Sequence, residues 1–139
     1  MIQLITGNKG KGKTTELLNK VNADVQEKTG NIVYIDKNTK HMYELNNKIR
    51  LINISEFPIE NSNEFIGFVL GIISQDHDLQ EICLDNFLIL SHLDDNTYMD
   101  TLKKLREISE KYNLTIVCSL AIDGSLVPEE FKQEIIISL

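Results

Sequence analysis

Glycines and lysines alternate in one short stretch near the first residue of the chain, GNKGKGKT at positions 7–14. Glycine lets a backbone curl tightly around a ligand, because it has no Cβ atom to intrude. The N–H groups of such a curl and the lysine ammonium groups all present positive charge to an anion. The spacing G-x-x-x-x-G-K-[ST] is the one that cradles the phosphates of a nucleotide. The stretch therefore predicts a phosphate-binding loop.

The residues of this loop have different predicted tasks. We expect Lys13 to reach the β- and γ-phosphates as a compact positive charge, and we count it as a catalytic candidate. The Thr14 hydroxyl is a hard oxygen ligand of the kind that Mg²⁺ takes. Lys9 and Lys11 either attract the triphosphate or are solvated loop charges, and both interpretations stay open. The predicted nucleotide-binding residues of the loop are Gly7, Asn8, Lys9, Gly10, Lys11, Gly12, Lys13, Thr14 and Thr15.

Short apolar segments with alternating strand and helix patterns surround the loop. A strand at 2–6 precedes it, and an apolar stripe predicts a helix over 13–28 after it. Most predicted strands are continuous apolar runs, which is typical of a parallel sheet covered on both faces. We therefore predict a single α/β domain over 1–139, with three layers and a mostly parallel sheet of about five or six strands. Further strands are predicted at 32–36, 49–54, 81–85, 114–119 and 134–139, and further helices at 63–74, 96–112 and 128–132.

Two of the predicted helices carry more specific expectations. Asn63 is predicted to cap the helix over 63–74, which is apolar on most sides and is expected to be buried. On that helix, Gly67 and Gly71 indicate close packing on the sheet or, alternatively, a homodimer interface. The residues of the helix over 96–112 that are expected to face the core are Tyr98, Leu102, Leu105, Ile108 and Tyr112.

Polar residues stand where three of the predicted strands end. Ligands of open parallel sheets bind beyond the carboxyl ends of the strands. Asp36, Asp85 and Ser119 are the last residues of the second, fourth and fifth predicted strands. These side chains are therefore the ones expected to face a ligand on the phosphate loop. His41 follows the second strand, so it lies either near a base or second substrate or in solvent.

Two motifs together resemble those of P-loop NTPases. Residues 7–14 match the Walker A motif, and Ile82-Cys83-Leu84-Asp85 resembles a Walker B strand with its aspartate. The resemblance implies that Asp85 holds the Mg²⁺ shell through water. The order of the elements resembles the RecA-like branch, which implies that the strand at 114–119 lies between the strands of the two motifs. Ser119 would then lie near the γ-phosphate. The chain has no N-K-x-D motif of GTPases, which favours ATP.

RecA-like proteins normally use a glutamate to polarise the attacking water, and both corresponding positions in this chain are amides. Asn86 directly follows Asp85, and Asn38 lies two residues past Asp36. An amide can orient a water molecule but cannot take its proton at neutral pH. Asp36 and Glu16 remain as substitute bases, and we count Asp36 with Lys13 and Asp85 as a catalytic candidate.

The arginine content points in the same direction. Arg50 is predicted on a strand and Arg106 on a helix surface, and there is no other arginine. An arginine finger contributes about 10³–10⁵-fold in rate, and neither residue is placed to act as one in cis. We therefore predict firm binding of ATP and Mg²⁺ with slow hydrolysis, which a protein partner or a second subunit would accelerate.

Three functional hypotheses remain open. The first is a slow Mg-dependent ATPase that acts as a switch or partner-coupled module. The second is a small-molecule kinase in which Asp36 acts as the base toward an acceptor hydroxyl, and residues 12–18 resemble the P-loop helix of type II thymidine kinases. The third hypothesis is a binding module that does not hydrolyse its nucleotide. Residues 10–15 are similar to P-loop cobalamin adenosyltransferases, and the whole chain resembles short stand-alone bacterial ATP-binding proteins of unassigned role.

Composition argues against several other classes. A net charge of −7 and a pI near 4.9 argue against broad nucleic-acid binding, which usually needs a basic face. Cys83 and Cys118 lack the spacing of a disulfide framework or metal site and are expected to be buried hydrophobes. The longest apolar stretch, 65–73, is far shorter than the ~20 residues of a membrane span. Because the chain begins with a strand pattern and not a signal peptide, we expect a cytoplasmic protein.

Overall fold

The computed structural model describes the whole chain, residues 1–139. Six strands form one sheet, and helices and turns connect them. The strands are β1 Ile2–Thr6, β2 Asn31–Asp36, β3 Ile49–Asn53, β4 Leu79–Leu84, β5 Thr115–Leu120 and β6 Ile135–Ser138. The α-helices are α1 Lys13–Glu27, α2 Ser62–Ser74, α3 Phe87–Ser91, α4 Met99–Lys111 and α5 Glu129–Lys132, and single 3-10 turns span Met42–Glu44, Ile54–Glu56 and Gly124–Leu126.

All neighbouring strands in the sheet are parallel, in the order β3-β2-β4-β5-β1-β6. The central strands β1, β2, β4 and β5 are almost completely buried, as their continuous apolar sequences predict. β5 lies between β1 and β4, as the RecA-like resemblance implies, and β3 lies at an edge. The predicted α/β fold with a parallel sheet and helices on both faces is confirmed.

Two apolar cores hold the helices on the two faces of the sheet. Leu17, Leu18 and Val21 of α1 form one core with strand residues that include Tyr34 and Val117. α2 and α4 belong to the larger core on the other face. Successive residues of a strand point to opposite faces, so each central strand contributes to both cores. The carboxyl ends of the strands are thereby fixed relative to the start of α1.

The cap of α2 differs from the prediction. Asn61, and not Asn63, is the N-cap, because its Oδ1 accepts a hydrogen bond of 2.9 Å from the Glu64 N–H. The Glu64 side chain in turn accepts a hydrogen bond of 2.7 Å from the Glu60 N–H. These two bonds satisfy N–H groups at the helix start that the helix cannot satisfy itself. Asn63 lies inside the first turn and is exposed.

This geometry predicts different effects for two asparagines that are two residues apart. We expect Asn61→Ala to lower the free energy of unfolding by about 1 kcal/mol, because the Glu64 N–H loses its acceptor. The matched control Asn63→Ala is expected to leave that free energy unchanged or slightly higher, since alanine is the better helix former. Urea unfolding followed by circular dichroism measures both. Equal losses for the two variants would contradict the assignment of the cap.

The rotation of α2 also differs from the prediction. Phe65, Val69 and Ile72 face the core, at a spacing of four and three residues along one helical stripe. Gly67 and Gly71 lie on the exposed side, where an added Cβ atom would meet no other atom within 4 Å. Close packing of these glycines on the sheet is therefore wrong. The stripe of large apolar side chains decides which face is buried, and the glycines lie off that stripe.

Helix α4 is shorter than predicted. The Asp94 carboxylate accepts hydrogen bonds from the Asn96 N–H and the Thr97 hydroxyl, and this turn delays the start of the helix to Met99. Tyr112 is the C-cap residue and is 43% exposed, so the expectation that it faces the core is wrong. The physical reason is the left-handed residue Asn113, which turns the chain away from the helix axis. Tyr98, Leu102 and Leu105 are buried as predicted, and Ile108 is partly buried.

No helix in the structure has the combination of length and apolar character that would let it span a membrane.

Candidate functional site

The predicted phosphate loop connects β1 to α1 at the carboxyl end of the sheet. Gly10 and Gly12 have φ angles of 86° and 92°, which glycine adopts without strain. Gly12 is the N-cap residue of α1, and no side chain caps that helix start. The first N–H groups of a helix have no partner within the helix. The start of α1 therefore offers free donors and partial positive charge to an anion.

Lys13 begins α1 and folds back over the loop. Its Nζ donates a hydrogen bond of 3.1 Å to the Asn8 carbonyl oxygen. Burial lowers the pKa of Lys13, and the nearby Asp85 carboxylate opposes that shift. A phosphate oxygen is a stronger acceptor than a backbone carbonyl. The ammonium group is thus held at the loop by a contact that a bound phosphate would replace.

The loop residues separate into those that face a common cavity and those that do not. The cavity has a volume of about 470 Å³, within the usual range of small-molecule sites. The Gly7 N–H instead donates a bond of 3.0 Å to Ile122, which ties the start of the loop to the segment after β5. Lys11 does not line the cavity. The hydrogen bonds from Ser125 lower the pKa of the Asp123 carboxyl, and the charge of Lys11 contributes to the same shift. The predicted loop residues that line the cavity are Lys9, Gly10, Gly12, Lys13, Thr14 and Thr15.

Asp85 is the centre of a hydrogen-bond network at the foot of the loop. It follows β4 directly and is only 4% exposed. Its Oδ1 accepts bonds of 3.1 Å from the Thr14 hydroxyl and 3.3 Å from the Ser119 hydroxyl. Ser119 Oγ also accepts a bond of 2.6 Å from the Asn86 N–H. The structure therefore brings Thr14, Asp85 and Ser119 together.

Tyr34 is a member of this network that the sequence analysis did not identify. Its hydroxyl donates a hydrogen bond of 2.8 Å to Asp85 Oδ2. Burial strongly raises the pKa of Tyr34, and the adjacent Asp85 charge raises it further, so the hydroxyl stays protonated and donates. The only signal in the sequence is a tyrosine in the middle of an otherwise aliphatic strand, NIVYID. The sequence gives no sign of its partner, because only the pairing of β2 with β4 brings Tyr34 close to Asp85.

Asp36 lines the same cavity from the end of β2. It is 5% exposed, and its carboxylate takes part in one hydrogen bond, a bond of 2.7 Å from the Lys37 N–H. Burial raises the pKa of Asp36 and the charge of Asp85 raises it further, whereas the Lys37 N–H bond and the charges of His41 and Lys37 act in the opposite direction. Asp36 and Asp85 are the two carboxylates that line the cavity.

The positions of the other candidates limit the chemistry of the cavity. Asn38 and Asn86 both line it, so each of these positions presents an amide and not a carboxylate to the cavity. Glu16 does not line it, which removes that residue from the candidate bases. Neither arginine lines it: Arg50 is on the edge strand β3, and Arg106 lies 4.6 Å from the centre of a phenylalanine ring.

The oxygen atoms of Thr14 and Asp85 are the groups that fit a hard cation. A hydroxyl and a carboxylate in direct contact offer two such ligands at one point. No group of three or more His, Cys, Asp or Glu side chains suitable for a metal ion is present. A Mg²⁺ ion usually needs only one or two protein carboxylates, because substrate phosphates and water complete its shell. The donor set therefore fits Mg²⁺ that arrives with a phosphate ligand.

Comparisons with known proteins bear on the fold. A scan of protein-family models finds no match, and a search of curated proteins finds no related sequence. Among solved structures, the chain is similar to the flagellar accessory protein FlaH from Methanocaldococcus jannaschii, with a TM-score of 0.54 and 14% sequence identity. The similarity covers 93% of this chain and 63% of that one, so the chain spans less than two thirds of the FlaH structure. At this identity, the similarity shows a shared α/β fold with a mostly parallel central sheet.

Proposed function

We propose that this protein binds Mg·ATP and hydrolyses it slowly by itself, as a switch or partner-coupled module. The observation that carries the proposal is the hydrogen bond of 3.1 Å between Thr14 Oγ1 and Asp85 Oδ1, which joins residues 71 positions apart. It puts a hydroxyl and a carboxylate at the foot of a glycine-rich loop. P-loop NTPases hold a magnesium–triphosphate with this pair of groups. The RecA-like fold agrees with a nucleotide-binding role.

The loop and the start of α1 would hold the phosphates. The uncapped N–H groups of the first turn donate to phosphate oxygens in the direction that the helix dipole favours. Lys13 would exchange its bond to the Asn8 carbonyl for the β- and γ-phosphates. Lys9 also lines the cavity, which favours a part in attracting the triphosphate over a purely solvated role.

Thr14 and Asp85 would hold Mg²⁺, Thr14 through its hydroxyl and Asp85 through water. The ion, when bound, neutralises charge that develops on the phosphates. The bonds from Tyr34 and Ser119 keep the Asp85 carboxylate in one orientation. Such supporting bonds matter for metal affinity, because they fix the position of the ligand before the ion arrives. Ser119 is then a positioning residue that also lies close to the phosphate region.

The composition of the cavity explains why turnover would be slow. Asn38 and Asn86 can orient a water molecule but cannot accept its proton. Asp36 is the carboxylate that remains available as a base, and its raised pKa brings it closer to the value that suits proton transfer near neutrality. With no arginine in the cavity, a protein partner or a second subunit would supply the missing positive charge.

The geometry of Asp36 also favours a second candidate function, a small-molecule kinase. Its carboxylate lines the cavity and has one hydrogen bond, so it has acceptor capacity for the hydroxyl of an acceptor molecule. Asp36 would take the proton of that hydroxyl while the hydroxyl oxygen attacks the γ-phosphate and ADP leaves. ATP consumption that appears only when an acceptor is added would distinguish this function from hydrolysis.

The wider setting belongs to the same proposal. We infer a cytoplasmic role like that of the short bacterial ATP-binding proteins that the sequence resembles. The buried, unpaired thiols of Cys83 and Cys118 are compatible with a reducing compartment. ATP is preferred over GTP because the chain carries no N-K-x-D motif.

Phosphate release from Mg·ATP tests the proposed function. We expect a wild-type rate below the 1–10³ s⁻¹ that is roughly typical of enzymes. Asp36→Asn is expected to lower the rate by about 10²-fold or more, because the base is lost. Asp95→Asn, a change of an exposed aspartate far along the chain, is the matched control. Failure of the wild type to bind Mg·ATP would overturn the whole proposal, and a rate within the typical range would overturn its slow turnover.

The pH dependence of that rate gives an independent check on Asp36. A base works only when it is deprotonated, and the raised pKa of Asp36 moves deprotonation to higher pH. The rate is therefore expected to rise with pH through a range above the ordinary titration range of an aspartate. Asp36→Asn should lose this acid limb while the control variant keeps it.

A further inference from the structure

The cavity has a second group of positive charges, away from the phosphate loop. The connection between β2 and β3 contributes Lys37, Lys40 and His41 to the cavity lining. Together with Lys9 and Lys13 of the phosphate loop, these side chains face two carboxylates in a protein whose net charge is −7. Basic residues are therefore concentrated in this cavity, although the chain as a whole is acidic.

The sheet topology separates these charges from the phosphate loop. β4 and β5 lie between β2 and β1, so the ends of β2 and β1 are roughly 14 Å apart at the usual strand spacing. Asp85 follows β4, the direct neighbour of β2. Lys37 and Lys40 therefore lie beyond Asp85 as seen from the loop. They border the part of the cavity that lies past the proposed site of Mg²⁺ and the γ-phosphate.

The connection that carries these residues is held in place by the rest of the protein. Asn22 of α1 accepts a bond of 2.8 Å from the Asn46 N–H and donates one of 2.8 Å to the Glu44 carbonyl oxygen. His41 contacts the Glu44 side chain. Asn38 Oδ1 accepts a bond of 2.9 Å from the Lys40 N–H. A binding site whose residues are already ordered loses less conformational entropy when a ligand binds than a flexible site does.

Neither Lys37 nor Lys40 forms a salt bridge, because the ion pairs of the protein involve other lysines. Both residues are exposed, and Lys37 meets the Asp36 carboxylate through its backbone N–H and not through its ammonium group. Two unpaired ammonium groups beside an imidazole suit a doubly charged tetrahedral anion, since lysine binds phosphate as a point charge. The nearby Asp36 adds an acceptor that a hydroxyl group can use.

We propose that Lys37, Lys40 and His41 form a second ligand subsite, which takes a small phosphate monoester that also carries a hydroxyl group. The phosphate lies against the two lysines, and the hydroxyl donates to Asp36. This inference rests on the proposed function, because the subsite is completed on its other side by bound Mg·ATP. It gives the coupling ligand or the acceptor a chemical class, a phosphorylated polyol or sugar.

Calorimetric titration of the nucleotide-loaded protein tests the subsite. The protein is first saturated with Mg²⁺ and a non-hydrolysable ATP analogue, so that the phosphate loop is occupied. Glycerol 3-phosphate and ribose 5-phosphate are then added in separate titrations, with inorganic phosphate and glycerol as probes of each half of the ligand. We expect at least one monoester to bind more tightly than inorganic phosphate, and glycerol to show no binding.

Variants locate the binding. The double variant Lys37→Gln/Lys40→Gln is expected to lower monoester affinity at least tenfold. Lys48→Gln removes an exposed lysine of the same connection that does not line the cavity, and it should leave that affinity unchanged. Asp36→Asn is expected to reduce the preference for a monoester over inorganic phosphate.

The other possible outcomes would contradict the subsite, the class of its ligand or the proposed function. Monoester binding that survives in the double variant would overturn the subsite, as would the absence of monoester binding to the loaded protein. Inorganic phosphate that binds as tightly as both monoesters would overturn the assignment of a hydroxyl-bearing ligand. A protein that fails to take up the ATP analogue at all would instead overturn the proposed function.

Discussion

Lys13→Ala is expected to weaken the binding of Mg·ATP by on the order of 100-fold, which corresponds to about 2.7 kcal/mol. The reason is that Lys13 is the charged side chain at the start of α1, and its present partner is only the Asn8 carbonyl oxygen. When a triphosphate binds, this ammonium group can make charge-assisted bonds to two phosphates. Hydrogen bonds to charged groups contribute about 1.5–3 kcal/mol. Calorimetry with a non-hydrolysable analogue measures the change directly.

The control for this experiment lies in the same loop. Lys11→Ala removes an identical charge two residues away, from a side chain that does not line the cavity. We expect it to change the affinity by a few-fold at most, and that small effect should fade as salt is added. Neither change removes a buried contact, so both variants should unfold at the wild-type temperature. A wild-type affinity in Lys13→Ala would contradict the assignment of this loop as a nucleotide site.

Asp85→Asn is expected to reduce the enhancement of ATP binding by Mg²⁺ by about 10–100-fold, the range observed when the supports of metal ligands are removed. The substitution keeps the size of the side chain and removes its negative charge. It also removes a like charge from the phosphate region, so the affinity for ATP without Mg²⁺ should stay the same or rise. Affinities measured across a series of Mg²⁺ concentrations separate the two effects. The decisive result is a lower ATP affinity in the presence of Mg²⁺ together with an unchanged or higher ATP affinity in its absence.

Two further variants distinguish charge from structure in this prediction. Tyr34→Phe removes the bond of 2.8 Å to Asp85 Oδ2 and keeps the carboxylate charged. It should therefore weaken the response to Mg²⁺ less than Asp85→Asn does, because Ser119 still donates to the carboxylate, and it should lower the free energy of unfolding by about 1 kcal/mol. Asp95→Asn makes the same chemical change at an exposed position. An Asp85→Asn protein that is folded and keeps the full response to Mg²⁺ would show that the metal is held elsewhere.

Local patterns in the sequence were enough to predict the loop and most of the elements. The helix predicted over 13–28 is observed as Lys13–Glu27, and the strand predicted at 2–6 has the same bounds. These features depend on interactions between residues a few positions apart, such as a glycine turn or an apolar stripe. The alternation of continuous apolar strands with helices was likewise sufficient to predict the parallel α/β fold, because strands that are buried on both faces have continuous apolar sequences.

Predictions that depended on the orientation of one element against another were less successful. Gly67 and Gly71 are exposed because Phe65, Val69 and Ile72 determine which side of α2 meets the sheet. The sequence does not distinguish between two apolar faces of one helix. The shape of the sheet surface on which the helix packs decides which face is buried. The N-cap of α2 is Asn61 and not the predicted Asn63 for a related reason. The path by which the chain enters the helix decides which side chain reaches the N–H groups of the first turn.

The sequence by itself determined that a glycine loop with a lysine and a threonine follows the first strand, because that motif is complete within eight residues. Only the tertiary structure decided what surrounds the loop. The pairing of β2 with β4 brings Tyr34 and Asp36 to Asp85 and adds Lys37, Lys40 and His41 to the cavity lining. Glu16 lies on α1 and stays outside that lining. Strand order depends on contacts between residues dozens of positions apart, which no local spacing encodes.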